Sequence, residues 1–265
     1  MNQDASASLY AFDPRRQPLA PDELRGRVIA VTGPTSGMGR ALAVECARRG
    51  AEVLLIGRHP RKLEGLHDEI AALHGYDGAP VPAPLAAPLD LEKAVAAGYD
   101  GLAEAVEQRW GRLDGLVHNA AVLGQLAPIE QYDVPTWVRV MHVNVTAAFA
   151  LTQVLIPALR RSEDASVLFT TSGVGRRGRA YWGAYAASKF ATEGLVQVLA
   201  AELESAGVRV NAINPGRMRT AMRRQAFPSE NPETLPLPAT LTGPYVALLG
   251  PGSRGVTGGS FDAQG

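Results

Sequence analysis

Short runs rich in valine, isoleucine and leucine alternate along the chain with longer stretches whose apolar residues recur at helical spacing. That is the pattern of a parallel sheet covered by helices on both faces. The first strand is expected at Val28 to Thr32, followed by a glycine-rich turn, a helix from Arg40 to Arg49 stopped by Gly50, and a second strand at Val53 to Ile56. Pro60 opens the next helix. Pro82, Pro84 and Pro88 punctuate the following apolar run, so a strand there belongs at a sheet edge, where missing amide donors are tolerated. Leu113 to His118, Val167 to Thr171 and Val208 to Ile213 read as further strands, with long helices over Thr136 to Arg160 and Tyr185 to Glu204. A short helix near Tyr245 to Leu249 and a last strand around Ser260 to Asp262 finish the sheet. The fold class is α/β: a single doubly wound Rossmann-type domain with about seven parallel strands.

The two long helices are apolar around most of their circumference. Val138, Val140, Met141, Val143, Val145, Phe149 and Leu151 lie in one, and Phe190, Leu195, Val196, Val198 and Leu199 in the other. Such helices need burial beyond the sheet, which predicts a homodimer or homotetramer. From Gly216 to Pro244 arginine, proline and polar residues dominate, so residues 216–244 are expected to form a substrate lid within a domain spanning 27–265, and residues 1–26 an N-terminal extension.

Composition narrows the partners. The 265 residues carry 26 charges of each sign, which removes the electrostatic argument for nucleic acid or an anionic membrane and leaves a small molecule. The lone cysteine, Cys46, excludes an internal disulfide framework. Five scattered histidines offer no metal-ligand spacing, so His118 and His142 are read as packing residues and no metal site is expected. Asp13, Pro14, Arg15 and Arg16 interrupt any signal-peptide core, which points to a cytoplasmic protein.

Chemistry first becomes legible after the first strand, where Thr32-Gly33-Pro34-Thr35-Ser36-Gly37-Met38-Gly39 opens a helix. Glycines there allow positive φ and close backbone approach, and the helix start presents amides to a pyrophosphate. Gly33, Thr35, Ser36, Gly37, Met38 and Gly39 are therefore cofactor-binding candidates. An acidic residue at the end of the second strand would hold ribose hydroxyls; Gly57 and Arg58 stand there instead. A guanidinium pairs with a 2′-phosphate, so NADP(H) is favoured over NAD(H), with Arg58 as anchor and Thr35, Ser36 and Arg61 as helpers.

Tyr185 and Lys189 are four residues apart at the start of a helix and share a face. An ammonium beside a phenol favours the phenolate, which should lower the tyrosine pKa toward a range useful for proton transfer. Ser172 ends the fifth strand, where parallel sheets present side chains to ligands, and its hydroxyl is placed to orient a carbonyl.

TGxxxGxG at Thr32 to Gly39, Asn119-Ala120-Ala121, Asn144, Ser172, Tyr185xxxLys189 and Pro215-Gly216 with Thr220 resemble the short-chain dehydrogenase/reductase family, in its short-subunit branch. Gly178 to Lys189 and Phe261-Asp262-Ala263-Gln264 look like the YciK-type oxidoreductases within it. The resemblance implies that Tyr185 is the acid/base, that Ser172 positions the carbonyl, and that Lys189 binds the nicotinamide ribose. It implies further that Asn144 holds a proton-relay water, that Asn119 lies beside the adenosine ribose, that Asp90 lies near adenine, and that Ala120 is cofactor-binding. Pro215, Gly216 and Thr220 would embrace the nicotinamide. Three departures stand out: Ala121 replaces the family's usual glycine, where a methyl group would crowd the ribose, His118 replaces the first asparagine of the same motif, and Pro34 sits in the glycine turn.

Arg176, Arg177 and Arg179 lie between Ser172 and Tyr185, and Arg217, Arg219, Arg223 and Arg224 begin the expected lid. Either some of them grip an anionic group on the substrate, or they are solvated loop charges and cofactor-phosphate contacts. Tyr181 and Trp182 either add an aromatic wall or pack beneath the loop. The leading functional expectation is an NADP(H)-dependent enzyme acting on a carbonyl or alcohol. The alternative is a catalytically idle dinucleotide-binding sensor or interaction protein, since fold does not establish turnover.

Overall fold

A computed structural model of the chain describes residues 12–265; the first eleven residues of the expected N-terminal extension lie outside the described residues. Seven parallel strands form one sheet: β1 (Val28–Thr32), β2 (Glu52–Gly57), β3 (Leu85–Pro88), β4 (Gly115–His118), β5 (Ser166–Thr170), β6 (Arg209–Asn214) and β7 (Ser260–Asp262), in the order β3-β2-β1-β4-β5-β6-β7. The proline-punctuated strand β3 is at one edge, as the missing amides require.

Every residue of β1 is buried, and its side chains alternate between two cores. Val28 and Ala30 face one with Leu54, Ile56, Leu151 and Leu155, while Ile29 and Val31 face the other with Leu42, Leu63 and Tyr245. This two-sided burial explains why the strands read as continuous apolar runs.

The helices are α1 (Gly37–Arg48), α2 (Pro60–Ala71), α3 (Ala96–Trp110), α4 (Val134–Met141), α5 (Ala147–Leu159), α6 (Gly183–Leu203), α7 (Ala221–Ala226) and α8 (Gly243–Leu249). Helix α1 starts three residues earlier than the sequence predicts, so Gly37, Met38 and Gly39 form its first turn. Asp133 caps α4 by accepting a hydrogen bond from Thr136 N at 2.7 Å, and Pro135 fits the first turn, where no amide is needed. The single long helix expected over Thr136 to Arg160 is broken by a π-turn at His142–Thr146, between α4 and α5. The run Val134–Leu159 is long and apolar enough to cross a membrane, and it packs into the core through Ala147, Leu151 and Leu155.

Helix α3 was not anticipated. Gly98 and Gly101 dilute its pattern, and only Tyr99, Leu102 and Val106 carry its buried stripe.

Sheet order reverses between β1 and β4, which opens a crevice at their carboxyl ends. Thr32 closes its floor: its hydroxyl accepts from Asn119 N and Ala120 N, both at 3.0 Å. From the described part of the extension, Leu24 is fully buried and Phe12 meets Phe261 edge-on at 6.0 Å, so Phe12 to Gly26 forms a strap on the domain.

Candidate functional site

One cleft of about 430 Å³ runs along the crevice, and most residues singled out from the sequence line it. At its middle, Gly33, Thr35, Ser36, Gly37 and Met38 form the turn into α1. Gly33 and Gly37 adopt φ of 65° and 54°, a left-handed conformation that side chains disfavour. Ser36 makes no side-chain cap, and the first turn of α1 holds no acidic residue, so its leading amides remain open to an anion. Gly39 does not face the cleft. A Cβ there would collide with Gly33 O and Asn119, so this glycine permits close packing behind the turn.

Beyond β2 and β3 at one end lie Arg58 and Asp90, while Asn119, Ala120 and Ala121 follow β4 beside the glycine turn. Arg58 is half-exposed; its Nη1 is 3.9 Å from Glu92, which is held more closely by Arg139 at 2.8 Å. Arg61 is exposed and off the cleft, and Lys62, one helical position on, lines it instead. Lys62 and Glu92 escaped sequence reasoning, because nothing in their local pattern distinguishes them from surface charges.

At the other end are Ser172, Tyr185, Lys189, Pro215, Gly216 and Thr220. Helix α6 carries the tyrosine and lysine on one face, with Tyr185 8% and Lys189 4% exposed. Lys189 donates to Thr170 O at 2.7 Å, and its Nζ is 5.6 Å from the Tyr185 ring centroid. Burial pushes the Tyr185 phenol up to about 12, with a hydrogen bond from Ser172 opposing it. Burial likewise pulls Lys189 down to about 8, with Glu193 opposing it. The direction is opposite to the expected lowering: desolvation outweighs the Ser172 hydrogen bond, while the ammonium gives its bond to the Thr170 carbonyl.

Asn144 is buried in the π-turn and does not line the cleft. Its Oδ1 accepts from Val122 N at 2.8 Å, and its Nδ2 donates to Val122 O and Ser188 Oγ, each at 3.0 Å. His118 is a packing residue. Its Nε2 is 2.8 Å from Thr152 Oγ1, its ring stacks on Phe169, and burial lowers its pKa to about 3.

Residues 216–244 include α7, capped by Thr220 Oγ1, which accepts from Arg223 N at 3.1 Å. Three of the seven arginines named from the sequence are paired: Arg176 with Glu193 and Asp262, Arg219 with Glu233, and Arg223 with Glu230. Of the seven named from the sequence, only Arg223 lines the cleft. Trp182 also lines it, whereas Tyr181 is exposed and takes φ 71°, the only positive φ of a non-glycine among the described residues. No cluster of three or more His, Cys, Asp or Glu able to hold a metal occurs among the described residues.

Comparison with known proteins places these residues in context. Residues 27–231 match the short chain dehydrogenase family model. The chain is 46% identical to the uncharacterized oxidoreductase YciK of Escherichia coli K12 over 243 residues, 92% of this chain and 94% of that protein. A short chain dehydrogenase structure from Pseudomonas syringae is 50% identical, with a TM-score of 0.89 over 93% of this chain and 98% of that one. Another, from Escherichia coli CFT073 and complexed with NADPH, is 46% identical, with a TM-score of 0.88 over 93% of this chain and 100% of that one.

Proposed function

This chain belongs to the short chain dehydrogenases, and on that premise we propose that it is an NADP(H)-dependent oxidoreductase of carbonyl or alcohol substrates with Tyr185 as acid/base. The observation that carries this reading is the opening of Ser172, Tyr185 and Lys189 onto the same cleft as the glycine turn. NADP(H) suits the residues present. The uncapped start of α1 offers amides to a pyrophosphate, Arg58 and Lys62 offer cations to a 2′-phosphate, and the related Escherichia coli CFT073 protein is complexed with NADPH.

When bound, the dinucleotide supplies or accepts a hydride at its nicotinamide. The chain's own residues do the rest. Ser172 orients the carbonyl oxygen, and Tyr185 gives that oxygen its proton during reduction or removes one during oxidation. Lys189, anchored on Thr170 O, retains donors for ribose hydroxyls. Asn144 acts as a positioning residue that ties the Val122 loop to α6 through Ser188. Asn119, Ala120 and Asp90 line the cleft and would hold the adenosine half, and Pro215, Gly216 and Thr220 would hold the nicotinamide half.

Residues 216–244 serve as the lid of the 27–265 domain, because α7 overhangs the cleft through Met222 and Arg223. Exposed Val138, Phe149, Phe190 and Val198 on the long helices support assembly with further copies of the chain. The test is a screen of purified protein with NADPH and NADH against aldehydes, ketones and alcohols, read by dinucleotide absorbance. NADPH-dependent reduction of at least one carbonyl class is expected; equal or better use of NADH would overturn the Arg58 assignment.

A further inference from the structure

Trp182 and Arg223 line the cleft beside Tyr185, and Phe227, which does not line it, bridges the two. Trp182 meets Tyr185 at a centroid distance of 5.9 Å and Phe227 at 5.8 Å, and the Arg223 guanidinium lies 3.7 Å over the Phe227 ring. Glu230 then grips Arg223 with two bonds, accepting from Nε at 2.5 Å and from Nη2 at 2.6 Å. Both side chains are only about a fifth exposed, at 19% and 22%. Pairing with Arg223 holds the Glu230 carboxyl below its ordinary range, so the pair stays ionised and its net charge is zero.

Arg179 stacks over Trp182 at 5.8 Å and Phe227 at 5.3 Å, but it does not line the cleft. The rest of the nearby wall is Val122, Leu123, Val143, Met222 and Ala226. A carboxylate entering here would meet the Trp182 ring and an arginine whose Nε and Nη2 already hold Glu230, and it would lose water against the apolar side chains between them. An aryl or branched-alkyl group would bury apolar surface against the same wall.

We propose that this end of the cleft selects neutral, apolar aldehydes or ketones, and that Glu230 sets the selection by cancelling the charge of Arg223. The inference rests on the oxidoreductase reading. Reduction adds one hydride to the carbonyl carbon and one proton from Tyr185 to its oxygen, so an apolar alcohol leaves and the dinucleotide is oxidised.

The probe is a shape-matched pair, 4-methylbenzaldehyde and 4-carboxybenzaldehyde, assayed with the full chain and NADPH. Wild type should favour the neutral member by at least ~10-fold in kcat/KM, the order of a single lost polar contact. Glu230→Gln should move that ratio at least ~10-fold toward the carboxylated member, while Arg223→Leu should keep the neutral preference. A wild-type preference for the carboxylated aldehyde, or a ratio unmoved by Glu230→Gln in folded protein, overturns the proposal.

Binding separates this inference from the acid/base reading. In Tyr185→Phe protein loaded with NADP+, calorimetry with the two corresponding benzyl alcohols should show the neutral one binding at least ~10-fold tighter. That preference without wild-type turnover would count against the acid/base reading alone. Equal binding, no binding or tighter binding of the carboxylated alcohol would overturn the substrate class.

Discussion

The Lys189 ammonium lies 5.6 Å from the centroid of the Tyr185 ring and gives its hydrogen bond to Thr170 O, 2.7 Å away. The amine is thus fixed beside the phenol by the end of β5. Because burial brings Lys189 down to about 8, its charge is lost as pH rises through that value. If the charge supports Tyr185, kcat/KM for reduction should hold below about pH 8 and fall above it. Lys189→Met should remove that limb and lower kcat/KM by at least ~10²-fold. A pH profile without a break near 8 would contradict the role given to the lysine.

Arg58 stands where an acidic residue would favour the unphosphorylated cofactor. Replacing it by aspartate removes a cation and adds an anion facing the same 2′-phosphate. Arg58→Asp should lower the NADPH/NADH ratio of kcat/KM by roughly 10²-fold, as expected for losing a charge-assisted contact. Steady-state kinetics with both dinucleotides checks it, and an unchanged ratio would locate phosphate recognition elsewhere.

His118 is buried neutral, stacked on Phe169 and bonded to Thr152, with a pKa lowered to about 3 by burial and by the charge of Lys189. An unfolded histidine titrates at about 6.5. Between those values the unfolded chain binds the extra proton, so this contribution is complete above about pH 6.5 and is lost as pH falls toward 3. The loss runs at about 1.4 kcal/mol per pH unit for this one group. Urea unfolding from pH 7 downward should show His118→Asn with a shallower decline than wild type.

At the opposite end of the sheet, Asp164 holds Arg209 at 3.0 Å and Arg27 at 3.1 Å, with Arg254 at 3.6 Å. Asp164 and Arg209 are almost fully buried, so removing the carboxylate strands a cation. Asp164→Ala should destabilise the fold by about 3–5 kcal/mol. The cluster sits at the amino ends of β1, β5 and β6, away from the cleft, so kcat per folded molecule should be retained. Chemical denaturation together with activity on the folded fraction checks both halves.

Local pattern disclosed whatever local physics controls. The strands announced themselves because both faces of the sheet are buried. Pro82, Pro84 and Pro88 identified an edge because a proline has no amide to give. Tyr185 and Lys189 were paired by helix geometry alone.

Other features depend on residues distant in sequence. The charge of Arg223 cannot be judged without Glu230 folding back onto it, nor that of Arg176 without Glu193 and Asp262. The pKa direction of Tyr185 escaped for the same reason: spacing places the lysine nearby but says nothing of the burial that raises the phenol. The close approach of Gly33 O and Asn119 to Gly39 is likewise invisible in the motif, which does not say what a glycine's missing side chain makes room for.

The most direct test replaces Tyr185 by phenylalanine, which removes one oxygen and leaves the ring packed against Trp182. NADPH binding, followed by quenching of intrinsic fluorescence, should stay within a few-fold of wild type. Single-turnover reduction of the best carbonyl found in the screen should fall by at least ~10²-fold, the scale of a lost general acid. Retention of hydride transfer near the wild-type rate would contradict the assignment of Tyr185 as acid/base.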